Sequence, residues 1–220
     1  MKGKRVLRNI AVMVAALLCA SATPLYAQWY AVDWASEFTG LTLSDKTTGL
    51  PRGDLVAIGH FGTMTDTQIE AITSATDLWN AFTVFATGSI GDGEDSTAIG
   101  TFAEASSRFG GAGFFSMNAY LIAFNAGTYT TATQYGCFRG SAETWVFPRD
   151  DAAPAQIIDT ASCTGLVNVL IGDFGTGTFY SPYQDEWLNA LALIPEPSTC
   201  ALVGVGLLGI LGMMRRKSAL

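Results

Sequence analysis

The chain of 220 residues carries one histidine, four cysteines and only 12 lysines and arginines. With His60 as its single imidazole, any Ser-His-Asp or Cys-His mechanism would have to run through that residue. His60 sits in the strand-like stretch Ile58-Gly59-His60-Phe61, which favours a structural histidine over a catalytic one. Zinc chemistry is short of ligands for the same reason. The sequence has no G-x-S-x-G elbow, no phosphate loop with its lysine and no His-Glu-x-x-His pair. Charged residues make up 14% of the chain. That is well below the share of about a quarter usual for soluble domains, and it excludes a disordered polyelectrolyte. No enzyme class, cofactor or resident metal is indicated.

Cations are not only few but segregated. Lys2, Lys4, Arg5 and Arg8 open the chain, and Arg215, Arg216 and Lys217 nearly close it. Residues 28–194 hold 18 acidic side chains against Lys46, Arg52, Arg108, Arg139 and Arg149. The net charge of −7 thus averages an acidic body and two basic ends. Nucleic acid is excluded as a partner, because phosphate neutralisation needs a clustered basic face.

Both ends read as addresses. The four N-terminal cations precede an apolar run over residues 10–20, too short to span a bilayer, and Pro24 follows. This pattern predicts a secretory signal helix within residues 1–27, handled by the Sec machinery and signal peptidase. Small residues permit cleavage after Ala22 or Ala27. At the other end, Pro195-Glu196-Pro197 precedes an apolar stretch predicted to form a transmembrane helix over residues 199–214. Its uncharged core, residues 200–214, would rise about 22 Å as a helix, against a hydrocarbon layer of about 30 Å. Arg215, Arg216 and Lys217 form a basic stop that holds its end in the cytoplasm and leaves the body on the far side.

The ordered set of Pro195, Glu196 and Pro197, a short apolar helix and a basic terminus resembles the PEP-CTERM sorting signal of Gram-negative surface proteins. The resemblance covers residues 194–217. It implies a membrane-embedded exosortase as partner, recognition of Pro195, Glu196 and Pro197, and a surface associated with exopolysaccharide. The two prolines keep the segment extended and bar it from joining the helix. A permanent single-pass anchor is the competing reading.

Between the ends lies one domain, residues 28–194, rich in threonine, glycine and aromatics. These residues suit pleated, half-buried surfaces with glycine punctuation. Strands are predicted over residues 54–61, 82–87, 98–104, 119–125, 144–147 and 167–174. The expected fold is all-β: a single antiparallel sandwich or barrel. Thr65-Asp66-Thr67-Gln68 has capping-box form, and Ile69, Ile72 and Ala75 follow at helical spacing. One or two short helices are therefore expected to cover an end of the sheet. An echo recurs as Ile58-Gly59-His60-Phe61, Ile99-Gly100-Thr101-Phe102 and Ile171-Gly172-Asp173-Phe174. It predicts three similar strand ends, with glycine at close backbone approaches and phenylalanine capping the core. The body, with its Trp145–Pro148 segment, is also similar to uncharacterised PEP-CTERM proteins, which implies an all-β domain and no particular ligand.

Cys19 and Cys200 belong to the two addresses, leaving Cys137 and Cys163 in the exported body. An even pair in an oxidising compartment is a disulfide candidate, with two buried free thiols as the alternative. The loop beginning Gly91-Asp92-Gly93 reads as a solvated turn, with calcium binding as the alternative. The paired carboxylates Asp150-Asp151 and Asp185-Glu186 are neighbours in sequence, which does not build the cleft a glycosidase needs. Trp29, Tyr30, Trp34, Tyr180, Tyr183 and Trp187 cluster near the two ends of the body. The expectation is an exported surface or matrix protein, structural or adhesive. The alternative is a carbohydrate-binding module that stacks aromatics on matrix polysaccharide.

Overall fold

The computed structural model describes residues 29–36, 39–92, 99–109, 112–140, 145–147, 156–159, 167–182 and 185–197. The predicted signal helix, the predicted transmembrane helix and the basic stop fall outside the described residues. Among the described residues, no helix is long and apolar enough to cross a membrane.

The body is mostly β, as expected, but its strands form three sheets. The largest runs β12-β7-β6-β3-β4, built from Ile194–Pro195, Gln134–Gly140, Tyr120–Phe124, Leu55–His60 and Thr83–Ser89. A further strand, β9 (Val167–Ile171), pairs with β7 on the same edge that β12 uses. A second sheet orders β5 (Ala103–Phe109), β1 (Trp29–Ala35) and β8 (Gln156–Asp159). The third orders β10 (Asp173–Ser181), β11 (Glu186–Ala192) and β2 (Thr39–Thr42). Helices α1 (Asp66–Glu70) and α2 (Ala75–Ala81) lie between β3 and β4 in the chain.

The apolar runs in the large sheet explain this layering. All five residues of β6 are buried, so the strand is covered on both faces and its sequence is continuously apolar rather than alternating. Leu121 and Ala123 join Val56, Ile58, Phe85 and Phe138 in one core, together with Val32 and Trp34 of β1, Leu41 of β2 and Leu191 of β11. The opposite side chains, Tyr120, Ile122 and Phe124, join Ala57, Tyr135 and Cys137 under Ile69, Ala75 and Leu78 of the helices. The large sheet is therefore sandwiched between the smaller sheets on one face and the two helices on the other. The helices cover a face, not an end.

Two pairings correct the antiparallel expectation. Strand β1 runs parallel to β8, and β11 runs parallel to β2. Each pairing joins segments remote in sequence, which local alternation does not register. The strand expected over 98–104 begins only at Ala103. Before it, Gly100 takes φ 69°, its N–H donates to the Leu50 carbonyl at 2.8 Å and its carbonyl accepts from the Leu41 N–H at 2.7 Å. Around Trp145, the described residues 145–147 make an isolated bridge, from Val146 to Asn118, in place of the expected strand. The strand expected over 167–174 breaks at Gly172, dividing β9 from β10.

The glycine echo has a shared steric cause. A Cβ on Gly59 would lie 2.2 Å from the Thr83 carbonyl oxygen, beside the register shift between β3 and β4. The corresponding carbonyls are those of Leu41 at 2.8 Å for Gly100 and Ala192 at 2.6 Å for Gly172. Each glycine admits a neighbouring backbone that a side chain would push away. The phenylalanines are not equivalent: Phe61 and Phe102 are buried, whereas Phe174 is 39% exposed.

Candidate functional site

The start of the C-terminal motif, residues 194–196, is built onto the body. Strand β12 pairs antiparallel with the start of β7, setting Ile194 opposite Tyr135 and Pro195 opposite Gln134. A proline fits here because β12 is an edge strand and needs no further ladder donor. Beyond it, the Glu196 N–H donates to the Thr133 carbonyl at 2.8 Å. Thr133 is held in turn by Asn125, whose Oδ1 accepts from the Thr133 and Gln134 N–H groups, each at 2.8 Å. Asn125 Nδ2 donates to Thr133 Oγ1 at 3.0 Å. One amide side chain thus fixes the acceptor that receives Glu196.

The Glu196 carboxylate turns the other way, toward α2. Its Oε1 accepts the Ala75 N–H at 2.5 Å. Ala75 is the first helical residue after the cap Ser74, so this N–H has no partner within the helix. Ser74 Oγ meets a second such donor, the Asp77 N–H, at 3.0 Å. Tyr135, between Ile194 and the helices, donates its hydroxyl to the Ile72 carbonyl at 3.3 Å. Burial, then the negative charges of Glu196 and Asp77, push that phenol up to about 12. Glu196 is half-buried, while Pro195 and Pro197 are exposed on either side.

Residues 193–217 match the PEP-CTERM protein-sorting motif. That match includes Pro195, Glu196, Pro197 and the basic stop through Lys217. The motif implies export, processing by an exosortase and membrane-associated sorting to the cell surface. Comparison with curated proteins and with solved structures gives no match. The PEP-CTERM tail is therefore the part of the chain whose kinship is shown.

The remaining candidate residues are spread over the body. Cys137 is a fully buried thiol on β7, free among the described residues, and burial raises its pKa strongly, so as a thiol it is a poor nucleophile. Its proposed partner, Cys163, lies outside the described residues. His60 is buried at the end of β3, with Nδ1 accepting the Gly62 N–H at 2.9 Å and the ring edge-on to Phe114 at 4.7 Å. Trp34 belongs to the core and packs edge-on to Phe102 at 5.0 Å. The side chains of Trp29 and Tyr30, all of Tyr183, and the Asp150-Asp151 pair lie outside the described residues.

Two surface features stand out. Tyr180 and Trp187 face each other across β10 and β11, with ring centroids 5.5 Å apart. They are 41% and 68% exposed. The Tyr180 hydroxyl donates to Asp185 Oδ1, tying the pair to the hairpin turn. Elsewhere an open groove of about 450 Å³ lies between α1 and β9, lined by Asp66, Glu70, Asn168 and Phe174 among others. Asp66 at its wall is paired with Arg139 at 2.9 Å. Asp92 of the turn considered for calcium is exposed and accepts the Ser89 N–H at 2.8 Å. Among the described residues, no three His, Cys, Asp or Glu side chains converge in a way that could hold a metal ion.

Proposed function

We propose that this chain is a structural or adhesive component of the outer cell surface or its matrix, displayed through its PEP-CTERM tail and without enzymatic activity. The observation that carries this reading is the joining of signal and body: Ile194, Pro195 and Glu196 are part of the large sheet and of the α2 contact. Whatever holds the tail therefore holds a layered β domain by its edge strand. The acidic surplus of that domain favours solubility and mutual repulsion outside the cell. The engagement of His60 by Gly62 and Phe114 supports a structural role for the single histidine.

The test has two parts. Intact-mass measurement of the protein from the native envelope is expected to show a chain without residues 200–220. Their retention would favour the permanent anchor. Deletion of the gene is expected to weaken surface cohesion or matrix retention, and an unchanged envelope would count against the structural role.

A second reading is favoured by Tyr180 and Trp187. Adjacent exposed rings, one of them hydrogen-bonded to the Asp185 carboxylate, suit stacking on the apolar faces of sugars. On this reading the mature protein binds matrix polysaccharide. Trp187→Ala is expected to reduce retention on the native polymer about tenfold, the loss of roughly 1.4 kcal/mol. Equal retention of the variant and the wild type would end it.

A further inference from the structure

We propose that the folded body latches its own sorting motif, so that β12 and Glu196 must detach before the processing enzyme can bind Pro195, Glu196 and Pro197. This rests on the reading of residues 193–217 as an exosortase-dependent signal.

Three sets of contacts make the latch. The backbone of Ile194 and Pro195 is registered against Tyr135 and Gln134. The Glu196 N–H is held by the Thr133 carbonyl at 2.8 Å, and its carboxylate by the Ala75 N–H at 2.5 Å. An enzyme that reads an extended peptide does so by adding it as a strand and bonding its backbone groups. On this edge the Ile194 pairing and the Glu196 N–H are already committed to β7 and Thr133. The carboxylate, the one charged feature of the motif, is committed to α2. Pro195 and Pro197 are exposed, and prolines offer no N–H.

Reach adds to the constraint. Three residues separate Glu196 from Cys200, where the apolar stretch begins. Fully extended, such a segment spans about 14 Å. A body latched at Glu196 is thus drawn close to the membrane when residues 200–214 are inside it, and a membrane-embedded enzyme has little room between the two. Releasing β12 frees Ile194 to Glu196 and lengthens that tether. Cleavage or transfer at the peptide bond remains the enzyme's own step; the latch acts before it, as a competition between two partners for the same backbone.

The test uses the full chain and substitutions outside the motif. Ala75→Pro removes the N–H that Glu196 accepts while keeping a residue well suited to the first helical position. Ser74, at φ −143° and ψ 152°, already has the extended conformation that precedes proline. Because the Ala75 side chain is buried, a second variant inserts Gly-Ser-Gly-Ser between Leu193 and Ile194, leaving α2 and the motif sequence intact. Pulse-chase measurement in the native host is expected to show faster tail loss in both variants: about tenfold in Ala75→Pro, the scale of one charge-assisted hydrogen bond, and less in the insertion, which loosens the hold on β12 without removing a partner. Rates equal to wild type in both would overturn the latch. Absence of tail loss from all three proteins would overturn the sorting reading, and the latch with it. Hydrogen exchange on the full chain in micelles supplies a readout independent of processing. The Glu196 amide is expected to exchange at least tenfold slower than in an unstructured peptide, and unprotected exchange in the wild type would overturn the proposal.

Discussion

Asp54, immediately before strand β3, has a carboxyl oxygen, Oδ2, that is buried and has no hydrogen-bond partner among the described residues. Burial alone pushes its pKa up to about 6, against about 3.9 for an unfolded aspartate. The folded state therefore holds this proton more tightly, and its stability falls as pH rises from about 4 through 6. His60 acts in the opposite sense. Burial lowers its pKa, with the Gly113 backbone as the smaller, opposing influence. Its neutral form is favoured in the fold, so stability is lost as pH falls below about 6.5, where an unfolded histidine takes up its proton. The two slopes partly cancel in the wild type. Asp54→Asn is expected to stabilise the protein by about 2 kcal/mol at pH 7.5 and hardly at all at pH 4. Urea midpoints at the two pH values check this, and an equal gain at both would show that the carboxyl is not the cause. With Asp54 removed, the remaining slope below pH 6.5 combines His60 with Glu104, whose carboxyl is also raised by burial and by the Asp92 charge, and a His60→Gln variant separates the two.

At the scale of elements, α1 has only five residues and cannot stand on helix propensity. It is closed at its start by a reciprocal box: Thr65 Oγ1 accepts the Gln68 N–H at 3.4 Å, and Gln68 Oε1 accepts the Thr65 N–H at 2.9 Å. Thr65→Ala is expected to cost about 1 kcal/mol. Because Asp66 follows and pairs with Arg139 of β7, the same variant should raise exchange at the Gln68 and Ile69 amides before the sheet is affected. Global exchange rising in step would place the cap in the main cooperative unit instead. This box was legible in four consecutive residues because it is a local device. Strands β3, β4 and β6 were legible for a similar reason, as short apolar runs bounded by turn residues. Strand β7 was not: its Gln134-Tyr135-Gly136-Cys137 start has no simple alternation, and it is buried because β6, β9 and β12 surround it. The parallel pairs β1–β8 and β2–β11 depend on contacts far apart in the chain. The sorting motif itself is linear and was readable; its attachment, through Glu196 and Ala75 121 residues apart, was not.

At the scale of the whole molecule, the chain is an acidic layered body that shares one edge strand with its address. That sharing makes the position of the mature C-terminus a structural question as well as a matter of sorting. Among the described residues, Glu196 is the last whose backbone hydrogen-bonds the body. A chain ending at Pro197 keeps the β12 register, the Thr133 bond and the Ala75 bond. One ending at Leu193 loses all three, exposes the start of β7 and returns the Ala75 N–H to water. The Leu193 end gives up the β12 pairing, the two bonds made by Glu196 and the half-burial of Ile194. It is expected to be less stable than the Pro197 end by about 1 kcal/mol, the worth of one hydrogen bond. Urea unfolding of the two shortened proteins at one pH measures it. A drop of that size for the Leu193 end alone would mean that processing beyond Pro197 leaves the body at full strength, whereas cutting ahead of the motif weakens the sheet it completes. Equal midpoints would reduce β12 to a passive tether, and the edge of β7 would then have to be stable uncovered.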